Sequence, residues 1–181
     1  MKRILMCVLV GVVWPAAMCT GAAVPAKVED TTIAVYFSPK GGCTDAIVGV
    51  LKDAKRTVLV QAYSFTSAPI ANALVEAHRR GVRVQVVLDT SRLSEASSQA
   101  ALLANRGIPL KVDAQHTLAH DKIMILDREI VITGSFDFTN AAETQHAENL
   151  LIIENKNLAG LYTRNWEGHA AHAKPYAGRR R

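Results

Sequence analysis

Short runs rich in β-branched residues alternate with amphipathic segments along most of this chain. The run from Val82 to Leu88 predicts a strand in a sheet that is covered on both faces. Ile47, Val48, Val50 and Leu51 form one apolar face of a helix. This alternation predicts the α/β class, with a mixed β-sheet between layers of helices.

The individual elements follow from periodicity, capping residues and breakers. The predicted strands are 33–37, 57–65, 82–88, 110–112, the hairpin 122–127 with 129–133, and 150–153. The predicted helices are 44–55 capped by Thr44, one that begins near Pro69 and stops at Gly81, 94–105 capped by Ser94, and 158–166.

Length and composition suit one globular domain. The chain has 181 residues, of which 49% are hydrophobic and 20% charged. We expect the domain to span 31–170 and a basic tail to span 171–181. The 21 basic residues, less Lys2 and Arg3, exceed the 16 acidic residues by three. This mild surplus is compatible with a polyanionic partner but does not require one.

The first residues predict a secretory signal peptide. Lys2 and Arg3 precede an apolar run, and small residues follow Pro15. We expect cleavage after residue 23, or as late as residue 26, and therefore a periplasmic or secreted protein. An uncleaved membrane anchor is the alternative, because no charge occurs between residues 4 and 26. After cleavage Cys43 alone remains, which excludes an intrachain disulfide.

His120, Lys122 and Asp127 form the pattern HxKxxxxD, and Gly134-Ser135 follows after a short apolar run. A reaction at a phosphodiester needs a nucleophile, a group that binds the non-bridging oxygens, and an acid for the leaving group. Histidine serves as nucleophile or acid, and lysine binds oxygens. The spacing therefore predicts phosphodiester chemistry.

The predicted hairpin brings these groups together. Side chains alternate along a strand, so His120 and Lys122 point the same way. A turn centred near Arg128 would return Gly134-Ser135 to the same place. Ser135 is then a candidate donor to phosphate oxygen.

These residues resemble the signature of the phospholipase D superfamily, HxKxxxxD followed by GSxN. From about Val35 to Trp166 the chain looks like the small, single-motif bacterial endonucleases of that superfamily. The resemblance implies a phospholipase D-like fold without cofactors and a metal-independent reaction. It also implies that His120 attacks phosphorus to give a phosphohistidine, while a second motif histidine protonates the leaving oxygen.

One motif per chain implies two chains per site. The only other HxK, at His172 and Lys174, has Arg179 where the motif needs aspartate, and we expect it to belong to the solvated tail. A twofold homodimer would place two copies of His120 face to face.

Three further positions carry expectations from the resemblance. Asp137 stands where GSxN has asparagine, and it is protonated, turned away, or compensated by Lys122. Asn149, or Asn140, is a candidate for the missing amide. Glu148 is expected to hydrogen-bond His120. Asp127, although part of the motif, is expected to steady the hairpin corner.

No metal site is expected. His116 and His146 flank His120, but no HExxH or CxxC pattern occurs. The leading substrate is nucleic acid, DNA or RNA, because no separate recognition module is visible. A lipid phosphodiesterase acting on a headgroup or on cardiolipin is the runner-up. A catalytically inactive nucleic-acid-binding protein is the third possibility.

Overall fold

The computed structural model of the chain describes residues 30–176 and residue 178. The strands in this part are β1 Thr32–Ser38, β2 Thr57–Ala62, β3 Arg83–Asp89, β4 Leu110–Asp113, β5 Lys122–Leu126, β6 Ile130–Gly134, β7 Glu148–Glu154 and β8 Lys174–Pro175. The helices are α1 Cys43–Asp53, α2 Ala68–Arg79, α3 Ala100–Asn105, α4 Asn140–Thr144 and α5 Lys156–His172, with a 3-10 turn at Thr90–Arg92.

The eight strands form one mixed sheet in the order β1-β7-β6-β5-β2-β3-β4-β8. The pairs β2–β3 and β3–β4 are parallel, and every other pair is antiparallel. The central position of β5 and β6 places the predicted hairpin in the middle of the sheet, with β2 on one side and β7 on the other.

Both faces of the sheet are covered, which confirms the predicted α/β class. Alternate residues of β2 divide between two hydrophobic cores: Val58 and Val60 pack on the side of α1, α2 and α3, whereas Leu59 packs against α5. Trp166 of α5 is buried and donates its indole N–H to the Val60 carbonyl, 2.9 Å away. Period-two burial of this kind is the signature of a strand between two layers.

The first helix is capped from a distant part of the chain. We expected Thr44 to cap it, but α1 begins at Cys43 after a left-handed Gly42 (φ 78°). The backbone N–H groups of Gly42 and Thr44 donate to the carboxylate of Glu143, at 3.1 and 2.7 Å. A carboxylate at a helix N-terminus satisfies free donors and complements the helix dipole. Glu143 thereby fastens α1 to α4.

The helix predicted at 94–105 is shorter than expected. Only α3 is α-helical there, and Ser94 does not cap it. The backbone N–H of Gln99 donates to the Phe65 carbonyl at 3.0 Å, which holds the preceding segment against the end of β2. Ser98 also directs its hydroxyl toward the N–H of Ala100, at 3.5 Å. Serine side chains compete with helical hydrogen bonds in this way.

The predicted tail boundary is wrong for its first residues. Helix α5 continues through His172, and Lys174–Pro175 then pairs with β4 as strand β8. The Tyr176 backbone N–H donates to the Leu110 carbonyl at 2.9 Å. Sequence patterns favoured a tail because Pro175 and Gly178 break regular structure, yet Pro175 pairs at the sheet edge, where proline is tolerated.

The predicted leader, residues 1–23 or 1–26, lies outside the described residues. In the part of the chain that the structure covers, none of the helices combines the length and apolarity needed to cross a bilayer.

Candidate active site

His120 and Lys122 lie together at the start of β5. The Lys122 side chain is 7% exposed, and its Nζ atom lies 3.1 Å from both Nδ1 and Nε2 of the His120 ring. The same ammonium donates to the His120 carbonyl oxygen at 3.1 Å. An ammonium has only donors, so it fixes the ring beside it while presenting positive charge to the same space.

Two further residues extend this cluster, and the sequence analysis did not identify either as a site residue. The ring centroids of Tyr63 and His120 are 4.5 Å apart, and Lys122 Nζ lies 5.1 Å from the Tyr63 centroid. On the other side, Arg92 Nε donates to the Tyr63 hydroxyl at 2.6 Å, with its guanidinium 4.8 Å from the ring centroid. This hydrogen bond raises the pKa of Arg92, so the guanidinium is cationic at every relevant pH.

The position of Tyr63 follows from the sheet register. Ala62, the last residue of β2, pairs with Lys122, and the Tyr63 backbone N–H then donates to the Asp121 carbonyl at 2.9 Å. A pairing of β2 with the motif strand would have pointed to Tyr63. Sequence periodicity does not reveal which strands are neighbours, so this signal was out of reach.

The returning strand approaches the cluster through a tight turn and a required glycine. Asp127 and Arg128 adopt positive φ values of 55° and 60°, which closes the turn between β5 and β6 near the predicted centre. Gly134 has φ 148°, and a Cβ atom there would lie 2.2 Å from the Asn149 carbonyl oxygen. Only glycine therefore fits at this position of the motif.

Asp137 faces the motif lysine. Its Oδ1 atom lies 3.3 Å from Lys122 Nζ, an ion pair in which the Asp137 side chain is 23% exposed. That contact does not have hydrogen-bond geometry, and Oδ1 has no other partner in the described part of the chain. Of the three arrangements open to Asp137, compensation by Lys122 is the one present.

Ser135 and Asn149 bond to each other. The Ser135 hydroxyl oxygen accepts from the Asn149 backbone N–H at 3.1 Å and from its side-chain amide at 3.3 Å. Within residues 30–176 neither residue hydrogen-bonds His120 or Lys122. The structure therefore places Ser135 on the loop that carries Asp137, one step back from the ammonium. Asn140, the other candidate amide, begins α4.

Asp127 lies at the other end of β5 from Lys122, roughly 17 Å away for a strand of this length. Its carboxylate accepts the backbone N–H groups of Lys55, Arg56 and Thr57 at 2.9, 2.7 and 2.8 Å. Burial opposes ionisation, but these three donors outweigh it and lower the pKa of Asp127. The geometry matches the expected role at the hairpin corner and excludes contact with a group at His120.

Glu148 does not make the expected hydrogen bond to His120 among the described residues. It begins β7 opposite Ser38, and its Oε1 atom lies 3.9 Å from His146 Nδ1. Both ring nitrogens of His120 instead face Lys122. The glutamate is 18% exposed.

The cluster combines an imidazole with two cations around one aromatic ring. Such a group can bind the oxygens of a phosphodiester while the imidazole attacks phosphorus or transfers a proton. In the described part of the chain, the only convergent group of three or more His, Cys, Asp or Glu ligands lies around Asp113, outside this cluster.

Residues 47–169 match the sequence profile of a family described as "Cardiolipin synthase, PLD-like domain". A phospholipase D of Rickettsia felis is 40% identical over 134 residues, which cover 74% of this chain and 67% of the relative. A mitochondrial cardiolipin hydrolase of Mus musculus is 33% identical over 105 residues, 58% of this chain and 48% of that protein.

Solved structures give the same picture. Nuc from Salmonella typhimurium, a phospholipase D family member, is 37% identical with a TM-score of 0.78, covering 81% of this chain and 99% of the Nuc chain. NucT from Helicobacter pylori shares the fold with a TM-score of 0.75 at 18% identity, covering 81% of this chain and all of its own, 100%. The whole described domain thus corresponds to a complete chain in both structures.

Proposed function

The chain belongs to the phospholipase D superfamily and is a phosphodiesterase of that superfamily, and we propose that it is a non-specific endonuclease acting on DNA or RNA. One observation carries the proposal: Lys122 and Arg92 place two cations around Tyr63, beside the His120 ring. Cations next to an exposed aromatic ring suit a nucleic acid backbone with its bases. The match to nearly the full Nuc chain supports the same assignment.

The reaction we propose has two displacements. A His120 nitrogen attacks phosphorus and forms a P–N bond, while the bridging P–O bond breaks. The leaving oxygen takes a proton from a second histidine. Water then attacks phosphorus, gives its proton to that second histidine, and breaks the P–N bond to release His120. Lys122 binds the non-bridging oxygens and stabilises the negative charge in both transition states.

The second histidine is supplied by a second copy of the chain in this proposal. His120 is the only histidine in the described part of the chain that contacts Lys122. An apolar row on edge strand β1 supports such a pairing: Ile33, Val35 and Phe37 are 52, 50 and 66% exposed. Phe37 pairs with Asn149 across the β1–β7 ladder, so this row reaches the loop beside the cluster.

A lipid phosphodiesterase is the second candidate, and one observation favours it. Leu118 is 50% exposed two residues before His120, and it offers apolar surface to an acyl chain. The curated names of two relatives, phospholipase D and mitochondrial cardiolipin hydrolase, refer to lipid substrates.

Cleavage of plasmid DNA by the purified chain in excess EDTA tests the proposal. The temperature must be one at which circular dichroism shows the chelated protein to be folded. We expect the intact chain to cut and His120→Ala to be inactive, with a loss of at least about 10³-fold. His78→Ala, a histidine near the end of α2, is the matched control and should cut normally.

The same preparations are assayed on vesicles that contain cardiolipin. Hydrolysis of lipid without cleavage of nucleic acid would replace the endonuclease by the lipid enzyme. Nucleic acid binding that strengthens at low salt, without cleavage of either substrate, would identify an inactive binding protein. Cleavage that EDTA abolishes in a folded protein would contradict the metal-independent reaction.

The predicted signal peptide completes the proposal with a periplasmic or secreted location. Its test is the N-terminal sequence of the protein recovered from a bacterial periplasm, which should begin near residue 24 or 27. An intact N-terminus in the membrane fraction would identify the anchor instead.

A further inference from the structure

Four metal-ligating side chains converge at a place that the proposed reaction does not use. Asp113 ends β4, His116 follows in the next loop, and His169 and His172 lie one turn apart near the end of α5. Their ligand atoms all lie within 4.8 Å of one another. The three histidine rings are mutually close, with centroids 4.9 to 5.5 Å apart.

The Asp113 carboxylate lies at the centre of this cluster. The Asp113 side chain is 0% exposed, and its Oδ2 atom lies 3.0, 2.9 and 3.1 Å from ring nitrogens of His116, His169 and His172. The Oδ1 atom accepts the Gln115 backbone N–H at 3.0 Å. One carboxylate oxygen offers about two lone pairs, so three rings cannot all donate to it in good geometry.

A cation among the four groups would resolve this crowding. Burial raises the pKa of Asp113, but hydrogen bonds from His169 and His172 outweigh burial and lower it, so the buried carboxyl is ionised. An anionic oxygen and neutral imidazole nitrogens are the forms that bind a metal ion. The Gln115 contact fixes the carboxylate from behind, as outer partners do in metal sites.

We propose that Asp113, His116, His169 and His172 bind a zinc ion. Three imidazole nitrogens and one carboxylate oxygen make a four-coordinate set of the kind that zinc takes in proteins. Tetrahedral bonds of about 2.0–2.1 Å place ligand atoms about 3.4 Å apart. The present separations from Asp113 Oδ2, 2.9 to 3.1 Å, need only small shifts to reach that arrangement.

Four protein ligands close the coordination shell, which makes the ion structural. It joins the end of β4, the end of α5 and the loop that leads to His120. That loop is also held at Ala119, whose backbone N–H donates to Asp89 Oδ2 at 2.7 Å. Asp89 pairs with Asp113 across the β3–β4 ladder. The zinc therefore fixes the approach to β5 without touching the phosphate-binding groups.

Metal analysis of the untagged chain, purified without chelator from zinc-supplemented cells, tests the proposal. We expect about one zinc ion per chain, and loss of most of it in His169→Ala and in His172→Ala. His146→Ala removes an exposed histidine outside the cluster and should keep the zinc. His116→Ala, whose ring is 46% exposed, gives the same readout if an α5 variant fails to fold.

Cobalt provides a second readout that reports geometry. Co²⁺ in a tetrahedral site gives strong visible absorption, which we expect in the wild-type chain and not in His172→Ala. A chelator should also lower the melting temperature of the zinc-loaded chain and leave that of His172→Ala unchanged. A folded wild-type chain that binds neither ion, or variants that bind as much as wild type, would overturn the site.

The zinc proposal and the endonuclease proposal fail separately. Metal content, cobalt spectra and melting temperatures involve no substrate. Cleavage in EDTA below the melting temperature of the chelated protein involves no zinc. A chain that binds zinc but cuts nothing keeps the site and loses the proposed function, and the reverse result does the opposite.

Discussion

Lys122 Nζ lies 3.3 Å from Asp137 Oδ1 in the middle of the phosphate-binding cluster. The carboxylate neutralises part of the charge that Lys122 would offer to a phosphate, and it repels that phosphate directly. We expect Asp137→Asn to preserve kcat/KM or to raise it by up to about tenfold, which corresponds to about 1.4 kcal/mol. The measurement is steady-state cleavage, with Asp53→Asn on the exposed end of α1 as the control. A collapse in rate would show that the carboxylate has a role of its own.

Arg92 should act as a backbone-binding cation rather than in the chemical step. Arg92→Ala removes the guanidinium from the Tyr63 ring, so we expect weaker nucleic acid binding on all sequences. The slope of log affinity against log salt concentration should fall by about one. Fluorescence anisotropy at several salt concentrations measures both. Arg79→Ala, an exposed arginine paired with Glu76 on α2, is the control and should leave the slope unchanged.

The exposed row on β1 predicts a charge-sensitive dimer. Phe37→Glu places a carboxylate on a residue that is 66% exposed, so the fold should tolerate it. We expect the sedimentation coefficient to fall to that of a monomer and cleavage to fall with it. Asn105→Glu adds the same charge at the end of α3 and should change neither. A monomeric Phe37→Glu variant with full activity would disprove the shared site.

Asp127 should make stability depend on acid pH. Its folded pKa lies below the ordinary value of 3.8, so its contribution is complete above that value and is lost as pH falls toward the folded pKa. We expect Asp127→Asn to reduce the free energy of unfolding by about 1 kcal/mol near neutral pH. The difference should shrink near pH 3. Urea unfolding at both pH values measures it, and a difference that grows in acid would reverse the sign.

The fold was predictable where local pattern decides structure. The run around Val84 and the apolar face through Ile47 gave a correct strand and a correct helix, because burial imposes periods of two and of 3.6 residues. The motif turn at Arg128 was also predictable, because charged residues separated two β-branched runs.

Contacts between distant residues were not predictable. Thr44 has the right chemistry for a cap, but Glu143 supplies the carboxylate from about a hundred positions later. Asp113 and His169 likewise meet only because β4 and α5 pack together. Spacing rules search for ligands that are close in sequence, so they tested His116 against His146 and found nothing.

Strand β1 pairs only with β7 within the described sheet, and Thr32 lies opposite Glu154. The first strand to leave the ribosome must therefore wait for almost the last one. Closing so long a loop is slow, and it leaves the outer edge of the catalytic hairpin uncovered until β7 has been made. A partly synthesised chain accordingly lacks Asn149 and the strand that orders Gly134, and hydrolytic activity arises only once nearly the whole polypeptide has folded.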